Sequence, residues 1–125
     1  SDLIGIDIQQ QKEKGIELTL ENHSQSCPLK DREGELLHWF QSLVEIITDK
    51  LETLAIEKRQ LSICFGNMEF NGSFVITVTL PPLEEDLWPG QLKPCLETLP
   101  QWEADHSFKQ YEEKLVFTVL WPTKE

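Results

Sequence analysis

The chain has 125 residues, the length of one ordinary domain, and we predict a single domain over residues 1–125. Twenty-two acidic residues against eleven basic ones give a formal net charge of −11, which excludes binding to nucleic acids through phosphate contacts. No apolar run approaches the roughly 18 residues of a membrane span, so we predict neither a nucleic-acid nor a membrane partner.

The termini and the cysteines bear on location. The chain begins at Ser1 rather than at methionine, and we expect it to be a trimmed protein or a piece of a longer one. It shows no secretory signal pattern. Cys27, Cys64 and Cys95 are odd in number and form no CxxC pair, which argues against a disulfide framework or a zinc site. We therefore predict reduced cysteines, no metal site and a cytoplasmic location.

Two stretches near the N-terminus alternate apolar and polar residues, as half-buried strands do. Their apolar positions are Ile4, Ile6 and Ile8, followed by Ile16, Leu18 and Leu20. We predict that the two stretches pair as an antiparallel hairpin. In the alternative, the first stretch is a terminal arm and residues 9–14 form a helix.

The stretch from Asp31 to about Lys58 predicts one long helix with Asp31 as its N-cap. Its central apolar stripe consists of Leu36, Phe40, Leu43, Ile47, Leu51 and Leu54. With its flanks, the apolar arc covers about half of the helix surface, wider than the ~100° that a surface helix needs. A single sheet would leave the flank residues Trp39 and Ile46 exposed. We expect these two residues to contact either residues 81–100 or another protein chain.

The dipeptide Asn71-Gly72 lies between two β-rich runs and is typical of a two-residue type I′ turn. That turn would place Phe65 opposite Val78 and Ile63 opposite Leu80, on the face that carries Phe74 and Ile76. Met68, Phe70 and Val75 would then form an apolar patch on the other face at the hairpin tip, unless a bulge at Gly66-Asn67 turns the tip residues inwards.

Residues 81–100 contain five prolines, which exclude a central strand, yet the segment is too apolar for a solvated linker. We predict a lid with short helical turns around Glu84 to Trp88 and Gln91 to Leu99. The lid would pack over the flank of the long helix or over the hairpin tip.

The last part of the chain predicts a second hairpin with its turn at Glu112-Glu113. This turn pairs Phe108 with Phe117 and His106 with Val119. The final strand, Leu115 to Trp121, is apolar on both faces and should be central in the sheet. His106, on the apolar face, is expected to be a core histidine rather than a catalytic base.

The order of these elements predicts an α+β fold: a two-layer sandwich in which one long helix packs on a mostly antiparallel sheet of about five or six strands. The chain contains no catalytic constellation and no Gly-rich phosphate loop, so we predict no catalytic residues and no cofactor. His23 and Cys27 lack the second pair of ligands that a metal site needs.

The sequence therefore favours a non-enzymatic, acidic interaction, adaptor or regulatory module. It would bind a protein partner, or a second copy of itself, through an apolar surface that contains tryptophan. The candidate contact residues are Trp39, Ile46, Met68, Phe70 and Trp88. The alternative function is a small-molecule sensor or an enzyme, with a pocket between the sheet and residues 81–100.

Overall fold

A computed structural model describes residues 6–23, 32–68, 73–85, 87–100 and 104–122. Its elements are α1 (Ile8–Glu13), β1 (Glu17–Asn22), α2 (Glu33–Leu51), a 3-10 helix (Ile56–Lys58), β2 (Gln60–Met68), β3 (Ser73–Leu80), α3 (Trp88–Gln91), α4 (Lys93–Glu97), β4 (Asp105–Gln110) and β5 (Leu115–Pro122). The strands form one sheet in the order β1-β2-β3-β5-β4, in which only β1 and β2 are parallel to each other. The predicted α+β fold, with one long helix on a mostly antiparallel sheet, is confirmed.

The core lies between α2 and one face of the sheet. Along β3 and β5, buried residues that face the helices alternate with half-buried residues on the opposite face. The predicted stripe of α2 is buried from Leu36 to Leu51, and Leu54 packs against the core while partly exposed. Removing this stripe from water is the main favourable term that holds the two layers together.

Aromatic rings connect α2 to three strands at one end of the core. The ring of Phe40 meets that of Phe65 at a centroid distance of 5.2 Å, and Phe65 stacks on Phe74 at 6.3 Å. Phe74 stacks on Trp121 at 6.2 Å, and Trp121 meets the edge of Trp39 at 5.7 Å. Aromatic pairs at such separations stabilise a core beyond their area burial. The neighbouring residues Trp39 and Phe40 of α2 therefore both pack against side chains of the sheet.

The N-terminal segment differs from the prediction. Residues Ile8–Glu13 form helix α1, and the Asp7 carboxylate caps it by accepting a hydrogen bond from the Gln10 backbone N–H at 2.9 Å. The predicted hairpin is therefore wrong, and the helical alternative for residues 9–14 is observed instead. Strand β1 pairs in parallel with β2, a pairing that needs a crossover, and α2 supplies it.

Helix α2 ends at Leu51 instead of near Lys58. The last carbonyls of a helix have no donors within the helix and need partners from elsewhere. Here the backbone N–H groups of Thr53 and Leu54 donate to the carbonyls of Lys50 and Leu51, both at 3.0 Å. The Arg59 guanidinium holds the turn that follows by donating to the carbonyls of Glu52 and Leu54, also at 3.0 Å. The predicted N-cap, Asp31, lies outside the described residues.

Arg59 also fixes the junction between α1 and β1. Its guanidinium donates to the Lys14 carbonyl at 2.8 Å, next to Gly15, which has a φ of 76°. A Cβ atom on Gly15 would approach the Ile56 side chain to 3.0 Å, so a glycine suits this position in both conformation and space.

The β2–β3 hairpin has the predicted faces but a register shifted by two residues. Phe65 pairs with Ile76, and Ile63 pairs with Val78. The last described pair joins Met68 to Ser73, and the predicted turn at Asn71-Gly72 lies outside the described residues. A shift by an even number keeps each side chain on its face, so the predicted core residues remain buried.

The β4–β5 hairpin has the predicted register, with His106 opposite Val119 and Phe108 opposite Phe117. Strand β5 lies between β3 and β4, so its predicted central place is confirmed. His106 is exposed rather than buried, because β4 is an edge strand beside the buried β5.

Candidate functional site

Two of the predicted partner-binding residues, Trp39 and Trp88, are buried. Trp39 is 4% exposed, and its indole N–H donates a hydrogen bond to the Cys95 carbonyl at 2.8 Å. Trp88 is 1% exposed and donates to the Pro81 carbonyl at 2.6 Å. Residues 81–100 therefore act as the lid over the Trp39 flank of α2, and neither indole is available on the surface to a partner.

The other three predicted contact residues do not form a surface with them. Ile46 is half-buried against the core. The backbone of Met68 ends β2, but its side chain lies outside the described part of the structure, and so does the whole of Phe70. The predicted apolar surface is therefore not assembled in the described residues.

A different surface, which we call the open face, lies on the side of the sheet away from α2. Within the three central strands it consists of Ser62, Cys64 and Gly66 of β2, Val75, Thr77 and Thr79 of β3, and Val116, Thr118 and Leu120 of β5. All nine are half-buried, and none carries a charge. By comparison, 26% of the residues in the whole chain are charged.

Charged residues border the open face at both edge strands. On β1, Glu17 and Glu21 occupy this face, and Glu21 lies directly opposite Cys64. On β4, Asp105 lies opposite Leu120 and Lys109 lies opposite Val116. The sheet therefore presents a neutral centre with a charged rim that is mostly acidic.

A cluster of three different metal-ligating groups lies at the β1 edge of the open face. Potential ligand atoms of Glu21, His23 and Cys64 are all within 4.8 Å of one another. The His23 Nε2 atom is 3.1 Å from the nearer Glu21 carboxylate oxygen. The backbone N–H of His23 extends the β1–β2 ladder by donating to the Phe65 carbonyl at 2.8 Å, which holds the histidine beside β2.

The two described cysteines differ in their surroundings. Cys64 is half-buried, and burial, with a smaller contribution from the negative charge of Glu21, raises the pKa of its thiol. Cys95 is buried under α2, and burial raises the pKa of its thiol to about 11. Both thiols are therefore protonated at neutral pH.

The predicted pocket between the sheet and the lid exists, but it is small. It has a volume of about 180 Å³, and most of its lining is apolar. Its walls are Leu83, Leu87, Trp88, Pro89, Phe108, Gln110 and Leu115. Leu87 at its edge is 63% exposed, so the pocket opens to solvent beside strand β4.

A second cavity of about 320 Å³ separates α1 from α2 and is lined mostly by polar and charged side chains. Gln11 at its wall is 6% exposed, and its side-chain oxygen accepts no hydrogen bond from the described residues. Lys14, also in the wall, forms an ion pair of 3.1 Å with Glu52.

No helix in the described part of the chain combines the length and hydropathy needed to cross a membrane. The sequence matches no protein-family model and no curated protein. Solved structures do resemble it. The catalytic domain of histidine kinase ThkA superimposes with a TM-score of 0.59 at 12% identity, over 98% of this chain and 88% of that one.

The chain shares the fold of histidine kinase catalytic domains. The histidine kinase domain of the blue-light activated kinase EL346 from Erythrobacter litoralis gives a TM-score of 0.62 at 13% identity, over 90% of this chain and 55% of that one. ThkA in complex with the response regulator protein TrrA gives 0.63 at 11% identity, over 98% of this chain and 39% of the kinase.

The sequence missed both the open face and the Glu21 cluster, although one signal was present. Residues two apart on a strand share a face, so Glu21 and His23 could have been grouped. Cys64 joins them only because β1 and β2 pair in parallel, and the sequence had predicted a different partner for β1.

Proposed function

We propose that this chain is a non-enzymatic protein-interaction or regulatory module, and that the open face is the surface that contacts its protein partner. The uncharged centre of that face carries the proposal. Charged groups are depleted at the centre of protein interfaces and are tolerated at the rim. The nine residues of the open face and their charged border follow this arrangement.

The partner expected from the charge distribution is a protein with an apolar centre and a basic or mixed-charge border. Three of the four charged rim residues named above are acidic, and the whole chain has a net charge of −11. Complementary charge speeds the encounter of two proteins and excludes acidic competitors. Long-range attraction would therefore favour a basic partner.

One structural neighbour gives independent support for a role in protein association. The kinase ThkA, whose catalytic domain has this fold, has been observed in complex with a response regulator protein. That observation belongs to ThkA, and this chain corresponds to 39% of that kinase. We extend to this chain only the idea that the fold serves in a regulatory assembly.

Leu120→Lys tests the proposal, because it places a charge within the uncharged part of the open face while leaving the covered core intact. The matched control is Ile8→Lys, which adds the same charge at a side chain that is 53% exposed on α1. Both variants should unfold cooperatively near the wild-type temperature. A partner identified by mass spectrometry after capture on the wild-type chain should bind the Ile8→Lys variant and should not bind the Leu120→Lys variant.

Sedimentation velocity on the same three proteins separates a foreign partner from a second copy. If the wild type sediments as a dimer and Leu120→Lys as a monomer, the partner is the chain itself. If Leu120→Lys keeps every partner and the same mass as the wild type, the open face is not the contact surface and the proposal is wrong.

The non-enzymatic part of the proposal is tested with nucleotide. The six glycines of the chain are scattered and form no Gly-rich loop that could surround a phosphate group. We therefore expect no heat of binding on titration with Mg-ATP in a calorimeter. Saturable binding would contradict this part of the proposal and would favour an enzyme on this fold.

The second candidate function is a small-molecule sensor, because a pocket exists where the sequence predicted it. Its volume of about 180 Å³ lies below the roughly 300–1,000 Å³ of typical ligand sites. It would take a small apolar fragment. Such fragments should raise the unfolding temperature of the wild type if the pocket binds them. If Phe108→Trp abolishes this increase, the result would support the sensor function over the first proposal.

A further inference from the structure

We infer that Glu21, His23 and Cys64 form a binding site for a divalent transition-metal ion, Zn²⁺ by preference. The sequence predicted no metal site, and none of the three residues belongs to the buried core. The inference goes beyond the proposed function, since a metal ion can bind here whether or not the open face has a partner.

The distances allow one ion to be shared by the three side chains. Zinc is about 2.3 Å from a thiolate sulfur and about 2.0–2.2 Å from nitrogen or oxygen, so its tetrahedral ligands lie roughly 3.3–3.7 Å apart. The three donor atoms here are within 4.8 Å of one another. Rotation of the two exposed side chains, Glu21 and His23, can close the remaining distance without moving the backbone.

The backbone holds the three residues on one side of the sheet. Glu21 and Cys64 are opposite partners in the parallel β1–β2 ladder. His23 follows two residues after Glu21, and its N–H remains bonded to the Phe65 carbonyl of β2. Strand β1 and the residue that follows it therefore place a carboxylate and an imidazole beside the thiol of β2.

The donor set selects the metal. Calcium and magnesium take oxygen ligands, and only Glu21 offers oxygen. Zinc accepts cysteine, histidine and carboxylate ligands together, whereas a soft ion such as Cu(I) prefers several sulfur ligands. With three protein ligands, the fourth position of a zinc ion would be taken by water or by a group from a partner.

Binding must release a proton, because the thiolate is the form of cysteine that binds a metal. The Cys64 sulfur gives its proton to solvent as the metal–sulfur bond forms, and no electron is transferred. The affinity should therefore increase with pH over the range in which the metal competes with that proton.

Cobalt(II) is the direct probe, because a cobalt–thiolate bond absorbs in the near ultraviolet. Titration of the reduced, untagged chain with Co²⁺ should produce this absorption with one equivalent of metal, and Zn²⁺ should abolish it by displacement. Cys64→Ala should remove the absorption, whereas Cys95→Ala and Cys27→Ala should keep it. If the absorption follows either of the other two cysteines instead, the site is not the one inferred.

The exposed ligands provide variants that leave the fold intact. His23→Ala and Glu21→Gln should each weaken Zn²⁺ binding by at least about tenfold, since even groups that only support a ligand change affinity by about 10–100-fold. The matched controls are His38→Ala on α2 and Glu17→Gln, which lies on β1 four residues before Glu21. Both controls should bind Zn²⁺ like the wild type. Equal affinity in all five proteins would overturn the inference.

A thermal melt distinguishes failure of this site from failure of the proposed function. Zn²⁺ should raise the unfolding temperature of the wild type and of Leu120→Lys alike, because a ligand that binds only the folded state stabilises it. It should not raise that of Cys64→Ala. If Zn²⁺ has no effect on the wild type, the metal site is disproved and the partner experiment is unaffected.

Discussion

The two faces of the sheet differ in the size and burial of the side chains that they carry. The face under α2 carries the large side chains, with Phe65, Phe74, Phe117 and Trp121 all at most 6% exposed. The open face carries small, uncharged and half-buried residues such as Thr77 and Val116. The covered face therefore contributes most of the stability. Residues on the open face can change with little loss of stability, so this face can be adapted to binding. Substitutions on the two faces should separate these roles.

The largest decrease in the free energy of unfolding is expected from a substitution at Trp39, on the covered side. Trp39→Asp removes the contact with Trp121 and the hydrogen bond to Cys95, and places a charge where the indole is 4% exposed. The loss should exceed about 5 kcal/mol, which is comparable with the whole stability of a small domain. Circular dichroism should show an unfolded chain at 25 °C.

Trp39→Phe is the matched control, since it keeps an aromatic ring and removes only the indole N–H and some volume. It should remain folded, with a loss of about 1–2 kcal/mol measured by urea denaturation. A folded Trp39→Asp variant with a partner-binding defect would instead show that Trp39 is a surface residue and that the lid does not cover it.

The second effect is expected at Phe40, at the centre of the α2 stripe. Phe40→Ala leaves a cavity beside Phe65 and should cost about 3–5 kcal/mol in the free energy of unfolding. The m-value should stay the same, because the native fold is retained. A loss below about 1 kcal/mol would mean that α2 does not pack on the sheet as described.

The third largest effect is a dependence of stability on pH, which the Cys95 thiol on the covered side should cause. Its thiol pKa is raised from 9.0 to about 11, so between these values the folded state holds a proton that the unfolded state has lost. Stability should therefore fall as the pH rises from about 9 to about 11, by on the order of 1–2 kcal/mol. Cys95→Ala should remove this part of the fall, measured as the difference between two urea denaturation series.

The smallest change in the free energy of unfolding is expected from a substitution on the open face. Leu120→Thr replaces a half-buried side chain with one that suits a strand, so the free energy of unfolding should change by less than about 1 kcal/mol. Partner binding, measured in the same preparation, should weaken. A loss of stability as large as that of Phe40→Ala would show that another element covers this face in the folded protein.

The sequence alone predicted the features that depend on short-range periodicity. The steps of three and four from Leu36 to Leu51 identified α2 and its buried stripe. The alternation around Phe108 and Phe117 predicted the β4–β5 register correctly, because a short turn leaves the two strands little freedom in pairing. The side-chain faces of β2 and β3 were also correct, since a two-residue shift preserves them.

Contacts between distant parts of the chain required the tertiary structure. The alternation of Leu18 and Leu20 predicted a strand but did not identify β2 as its partner, because a parallel pairing across α2 leaves no turn signal. The apolar flank at Trp39 suggested a binding surface until Cys95, 56 residues away in sequence, was placed against it. The arrangement of Glu21, His23 and Cys64 has the same origin. Periodicity assigns side chains to a face, whereas the packing of whole elements decides which faces are covered.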